Sequence, residues 1–137
     1  MAVGLPLRQL HDATPGDCTL SGHVDRGGRH HARILASLPD VELVAVCDPR
    51  ESVGRTVAEA SGTQWLPDFK EVLNQIDAAS IVVPTSLHLP VGRQFLERGI
   101  PLLIEKPLAG NVADATELVR LAAEHNAVLQ VGHVERF

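Results

Sequence analysis

The sequence predicts an α/β fold, a single doubly wound domain on a mostly parallel sheet, and three observations predict it. From Gly28 onward, helical and strand-like periods alternate with little between them, as repeated strand–helix–strand units do. The strand-like runs are short, and the clearest of them is continuous and β-branched, the type buried on both faces of a parallel sheet. A glycine pair, Gly27-Gly28, opens the first clear helix, and an acidic residue, Asp48, ends the following strand 20 residues after Gly28.

Taken in order, Arg29 to Leu38 has apolar or small residues at Ala32, Ile34, Leu35 and Leu38, a helical spacing that Pro39-Asp40 closes. Val41 to Cys47 is the β-branched strand. Glu51 to Ser61 follows as a helix stopped by Gly62, then Gln64 to Leu66 as a short edge strand, after which Asp68 caps a helix carrying Phe69, Val72 and Leu73. Ala78 to Val83 is the next strand. Leu89 to Arg98 is a helix with Val91, Phe95 and Leu96 on one side, ended by Gly99 in the left-handed conformation that glycine adopts cheaply. Leu102 to Ile104 is strand again. Asn111 to His125 is the longest helix, with Ala115, Leu118, Val119 and Ala122 on its apolar stripe, and Val128 to Val131 is the last strand.

The first 27 residues break this regularity. A doubly wound domain opens with an apolar strand feeding a glycine turn, but Asp17 to Gly22 is a weak candidate for it, and Met1 to Gly16 holds no sustained period. The expected organisation is therefore an irregular segment over residues 1–27 and a nucleotide-binding domain over 28–137.

Composition narrows the partners. A chain of 137 residues, 45% hydrophobic and 21% charged, is long enough for one core and too short for two ordinary domains. With a net charge of −5 and 3% aromatic residues, the surface offers neither the positive field nor the stacking platforms that nucleic acid requires. No run approaches the roughly 18 apolar residues of a membrane helix, and the opening lacks a basic region followed by an apolar core, so a cytoplasmic, membrane-independent protein is expected. Cys18 and Cys47 do not make a disulfide framework. Seven histidines without a His-Glu-x-x-His or Cys-x-x-Cys spacing do not make a metal site, and His30 and His31 read as surface or helix-cap residues.

The chemistry gathers at strand ends. In a dinucleotide-binding unit a glycine turn, here Gly27 and Gly28, brings backbone N–H groups against the pyrophosphate at a helix N-terminus. An acidic side chain about 20 residues on, here Asp48, accepts from the adenosine ribose hydroxyls. Asp48 also predicts NAD over NADP, because a carboxylate repels a 2′-phosphate unless a cation such as Arg50 compensates. Asp48 as a helix N-cap, with Pro49 at the first helical position, is the competing structural reading. Pro84-Thr85 and Glu105-Lys106-Pro107 each follow a strand, at the sheet edge where ligands bind in open α/β folds.

The stretch from Gly28 to Phe137 resembles the Gfo/Idh/MocA oxidoreductases. The resemblance is carried by Gly28-Arg29-His30-His31-Ala32, Val44-Ala45-Val46-Cys47-Asp48-Pro49, Val83-Pro84-Thr85-Ser86-Leu87-His88, Glu105-Lys106-Pro107-Leu108 and Gly132-His133-Val134-Glu135-Arg136-Phe137. It implies a Rossmann-like domain that binds NAD, with NADP less favoured, and with its substrate domain oxidises a CH–OH group of a sugar, cyclitol or nucleotide sugar. Lys106 is then the catalytic residue beside the hydride-transfer centre. Gly27, Gly28, Asp48, Pro84, Thr85, His88 and Glu105 are expected to contact the cofactor, His88 and Glu105 on its nicotinamide side. His133, Glu135 and Arg136 look like the family's junction into that second domain, which is expected to lie beyond Phe137, so that this chain alone is inactive.

Two other readings compete. A non-catalytic nucleotide-binding or interaction module would keep the sheet without the chemistry, whereas a Rossmann-like methyltransferase is disfavoured by Glu105-Lys106-Pro107. A P-loop is discounted, since Gly28-Arg29 stands where Lys-Ser or Lys-Thr is needed. The family's G-x-G-x-x-G, aligned on Gly28, places His23 and Asp25 at its first two glycines. That departure predicts weakened contact with the pyrophosphate.

Overall fold

A computed structural model of the chain describes residues 16–21 and 26–133. In chain order its strands are β1 (Gly16–Ser21), β2 (Val41–Cys47), β3 (Gln64–Leu66), β4 (Ala78–Ile81), β5 (Leu102–Glu105) and β6 (Leu129–Gly132). All their pairings are parallel, in the spatial order β3-β2-β1-β4-β5-β6. The chain builds outward from β1 to one edge, then crosses back to β4 and builds to the other. That reversal between β1 and β4 is the switch point at which open α/β sheets bind ligands.

Among the described residues, four α-helices connect the strands: α1 (Arg26–Ser37), α2 (Glu51–Ala60), α3 (His88–Leu96) and α4 (Val112–Glu124). On one face, Ala32 and Leu35 of α1 and Val57 and Ala58 of α2 pack with Val41, Leu43, Val46 and Val82. On the other, Phe95 and Leu96 of α3 and Leu118, Leu121 and Ala122 of α4 pack with Ala79, Ile81, Leu102 and Ile104. The register between β1 and β2 slips by one between Cys18 and Thr19, leaving Val44 without a partner. An extra residue reverses the alternation of a strand. Hence Val41 and Leu43 share a face with Val46, while Ala45 and Cys47 point into the other cluster.

Local signals account for the ends. Asn111 caps α4 by accepting from Asp114 N at 2.8 Å, and its own amide donates to Asp114 Oδ2 at 2.9 Å, so one pair closes the first turn reciprocally. Gly99 takes φ +70° after α3, the left-handed stop expected there, and Gly62 does the same at +68° after α2. No helix among the described residues is long and apolar enough to cross a membrane.

Several expectations shift in detail. The weak candidate at Asp17–Gly22 is the central strand, β1, inside the segment expected to be irregular. Asp68 caps as expected, accepting from Lys70 N at 3.0 Å, but the turn it opens is a 3-10 helix over Phe69–Val72. The strand expected to run to Val83 ends at Ile81, and the first helix begins at Arg26 rather than Arg29. Ile34, Leu38 and Val119, placed on apolar stripes, are exposed, whereas Leu35, Leu118 and Leu121 carry the burial.

Candidate functional site at the carboxyl edge of the sheet

Parallel pairing brings every strand's carboxyl end to one edge. The row Cys47, Ser21, Ile81, Ile104, Val131 runs straight across five strands, so Asp48, Val82, Glu105 and Gly132 all stand one residue past it. Three strand spacings separate β2 from β5, on the order of 14 Å. Asp48 and Glu105-Lys106 therefore mark the two ends of one edge, with the switch point between them.

At the β2 end, the Asp48 side chain is fully buried. Its Oδ1 accepts from Arg50 N at 2.8 Å and from Arg50 Nε at 3.1 Å, and its Oδ2 accepts from Arg50 Nη2 at 3.0 Å. A buried carboxylate is stable when paired and hydrogen-bonded in this two-pronged way. Asp48 is not the N-cap of α2: Arg50 takes that position, and Asp48 instead braces the turn ahead of it. The indole of Trp65 donates from Nε1 to the Asp48 carbonyl at 2.9 Å, with the Arg55 guanidinium 4.7 Å from the ring centroid on a cation–π contact. Trp65 can lie there because Gly54 of α2 is bare, for a Cβ at that position would overlap the indole.

At the switch point, Gly27 is half-buried and Gly28 buried in the first turn of α1. The N–H groups of a first helical turn point outward along the helix axis, and together with the helix dipole they form an anion-binding end. Beyond β4, Pro84 is exposed and Thr85 half-buried in a short 3-10 turn over Thr85–Leu87. His88, at the start of α3, is buried, with Nδ1 3.0 Å from the Leu108 carbonyl and Nε2 3.0 Å from that of Val83. Both ring nitrogens thus face the main chain, and the imidazole joins the loop after β4 to the loop after β5.

At the β5 end, Glu105 is half-buried and Lys106 exposed, with the Lys106-Pro107 peptide cis. Glu105 Oε2 accepts from Lys106 N at 3.2 Å, and Glu105 Oε1 lies 2.8 Å from His31 Nε2. The other ring nitrogen of His31, Nδ1, is 2.9 Å from the hydroxyl of Ser80, which is fully buried in β4. The carboxylate lies against the main chain of Gly132, where a Cβ would stand 3.1 Å from Oε1.

The described residues expected from sequence to contact cofactor or substrate stand on this edge or just behind it. Gly27, Gly28, Asp48, Pro84, Thr85, Glu105 and Lys106 border it, and His88 is packed behind the two loops it ties. His31 and Ser80 join the site without having been predicted. The one available signal for His31 lay within Gly28-Arg29-His30-His31-Ala32. His23, Asp25, Glu135, Arg136 and Phe137 lie outside the described residues. No group of three or more His, Cys, Asp or Glu among the described residues is arranged to hold a metal.

Comparison with known proteins gives a consistent picture. The model of the Gfo/Idh/MocA oxidoreductase family, NAD-binding Rossmann fold, matches residues 21–133. A UDP-N-acetylglucosamine 3-dehydrogenase from Acidithiobacillus ferrooxidans is 34% identical over 115 residues, which cover 84% of this chain and 35% of that protein. A scyllo-inositol 2-dehydrogenase (NAD(+)) from Bacillus subtilis is 34% identical over 124 residues, 88% of this chain and 36% of the relative. The solved structure of the Acidithiobacillus ferrooxidans UDP-N-acetylglucosamine 3-dehydrogenase superposes with a TM-score of 0.83 at 32% identity, covering 90% of this chain and 40% of that one. The chain spans about a third of the length of the curated relatives it matches.

Proposed function

The chain belongs to the Gfo/Idh/MocA oxidoreductase family, as its NAD-binding Rossmann domain, and we propose that it binds NAD along the carboxyl edge of its sheet for oxidation of a secondary alcohol. The substrate class is a sugar, cyclitol or nucleotide sugar. A nucleotide sugar is favoured by the run Gly132 to Phe137 and by the dehydrogenase from Acidithiobacillus ferrooxidans. The protein is read as cytoplasmic, with neither nucleic acid nor membrane as a partner.

One observation carries the reading: Asp48 and Lys106 stand at opposite ends of a single edge with the switch point and the first turn of α1 between them. An extended dinucleotide has that layout, two nucleosides joined by a pyrophosphate. Asp48 receives the adenosine ribose, Gly27 and Gly28 face the pyrophosphate, and Pro84, Thr85 and Glu105 border the nicotinamide. His88 packs behind this last wall, its ring nitrogens each 3.0 Å from a main-chain carbonyl, of Leu108 and of Val83. When bound, the nicotinamide supplies the hydride acceptor. Lys106 orients the substrate hydroxyl and stabilises charge developing on its oxygen as the hydride leaves.

The same geometry supports a preference for NAD. A 2′-phosphate at the β2 end would meet the Asp48 carboxylate, and the guanidinium of Arg50 is already engaged by that carboxylate. Calorimetric titration with NAD and with NADP tests the proposal. Saturable binding that is tighter for NAD is expected; tighter NADP binding, or no binding of either at millimolar concentration by folded protein, would overturn it.

A further inference from the structure

We infer that His31 is a positioning residue: it fixes the Glu105 carboxylate against the Lys106 main chain and so ties the helix after the glycine turn to the strand end that carries Lys106. The catalytic meaning of this tie rests on the oxidoreductase reading above. The tie itself does not.

Donor and acceptor chemistry leaves little freedom. An ionised carboxylate only accepts, so the 2.8 Å contact with Glu105 Oε1 requires the proton of His31 to be on Nε2. In the neutral ring Nδ1 then holds a lone pair to which the Ser80 hydroxyl, 2.9 Å away, rotates to donate, whereas in the charged ring Nδ1–H donates to that hydroxyl. Ser80 lies in mid-strand with no solvent exposure, and no side-chain nitrogen or oxygen buried among the described residues lacks a partner. The result in either case is a hydrogen-bonded chain of Ser80, His31 and Glu105, spanning β4, α1 and the end of β5. Its last link is the second carboxylate oxygen, Oε2, which accepts from the N–H of Lys106.

The carboxylate is also confined sterically, since it lies on the bare main chain of Gly132 in β6. Held by an imidazole on one oxygen and by the next residue's amide on the other, Glu105 sets the direction in which the chain leaves β5. Lys106 departs from that point. A histidine that merely filled the core would be buried among apolar groups; His31 instead keeps 17% of its side chain exposed and spends both nitrogens on polar partners of the site.

Nuclear magnetic resonance on the chain itself tests the inference. In protein labelled with ¹⁵N in its histidine rings, His31 should show the Nε2–H tautomer; an Nδ1–H tautomer would overturn the proposal without any substitution. His31→Ala should then speed amide exchange at Lys106 by about tenfold, as loss of a supporting hydrogen bond would, while Phe95 and Leu118 keep their protection. His31→Gln places an amide donor near the position of Nε2 and should restore slow exchange, whereas the shorter His31→Asn should behave as alanine. Unchanged exchange at Lys106 in His31→Ala, or equal effects of Gln and Ala, would overturn it. If a substituted chain loses core protection, the ring spectrum of the unsubstituted protein decides alone. Absence of NAD binding with the tautomer and the exchange pattern as expected would count against the oxidoreductase reading and not against this one.

Discussion

Asp48 gathers more of the site's electrostatics than any other described residue, because its buried carboxylate is used three times by one arginine. Burial makes the charge costly unless those bonds persist, so Asp48 is held in one orientation before any ligand arrives. Asp48→Asn keeps the shape but removes the charge, and it should weaken NAD binding by about tenfold, the worth of one charge-assisted bond to a ribose hydroxyl; calorimetry reads this directly, and equal affinity would detach Asp48 from the cofactor. The opposite change is expected near the glycine turn. His23 and Asp25, outside the described residues, align with two glycines of the family's G-x-G-x-x-G, where a side chain obstructs close approach and a carboxylate beside a pyrophosphate is repelled. Replacing both by glycine should tighten NAD binding by roughly tenfold, with an unchanged dissociation constant as the contrary result. The position of Asp48, Glu105 and Lys106 at strand ends was legible because each follows a strand-like run, whereas the roles of Glu105 and Lys106 came from the family resemblance. His31 was not legible, since its partners lie 49 and 74 residues away and sequence order carries no trace of that meeting.

The elements show what supports these residues. Trp65 of β3 lies on Gly54 of α2 and holds the carbonyl of Asp48, so Gly54→Ala should force the indole out and destabilise the fold by about 1–3 kcal/mol, the usual cost of overpacking. Chemical denaturation measures this, and a neutral result would mean that Trp65 has room to shift. On the other face, Glu117 of α4 joins Arg120 on its own helix at 2.7 Å and Arg93 of α3 at 2.8 Å. Those two guanidiniums, Arg120 foremost, hold its carboxyl down to about 2, below the ordinary 4.5. A depressed carboxylate contributes stability that is present above its unfolded value and lost as the pH falls toward its folded one. The melting-temperature advantage over Glu117→Gln should therefore be constant above about pH 5 and vanish toward about pH 2, and it should shrink with salt because the cluster is at the surface. A pH-independent difference would contradict it. Strand β1 illustrates the limit of reading elements from sequence. Gly16, Asp17 and Ser21 give it little propensity of its own, yet it pairs on both sides with β2 and β4, and such a position overrides propensity. By contrast α4 was legible to within a residue at each end because Asn111 caps it and its leucines repeat at helical spacing.

At the scale of the whole molecule, the order of the strands does the organising. Parallel connections send every strand end to one edge, and the crossover from β3 back to β4 opens the switch point at the centre of that edge. The alternation of helical and strand periods from Gly28 onward was sufficient to predict a doubly wound, mostly parallel sheet, but not its strand order or its first strand. The edge is also where the buried polar groups collect. Asp48 and His88 belong to its loops, and Ser80 reaches it through His31. Among the described residues, this edge is the place we propose for the dinucleotide. The most direct test is a titration of the ¹⁵N-labelled chain with NAD, followed by the amide resonances of the described residues. The account predicts saturable shifts at Gly27, Gly28, Asp48, Thr85, Glu105 and Lys106, with Val119 and Glu124 on the outer surface of α4 unmoved. Shifts absent at millimolar NAD from a folded chain, or centred on α4, would contradict it.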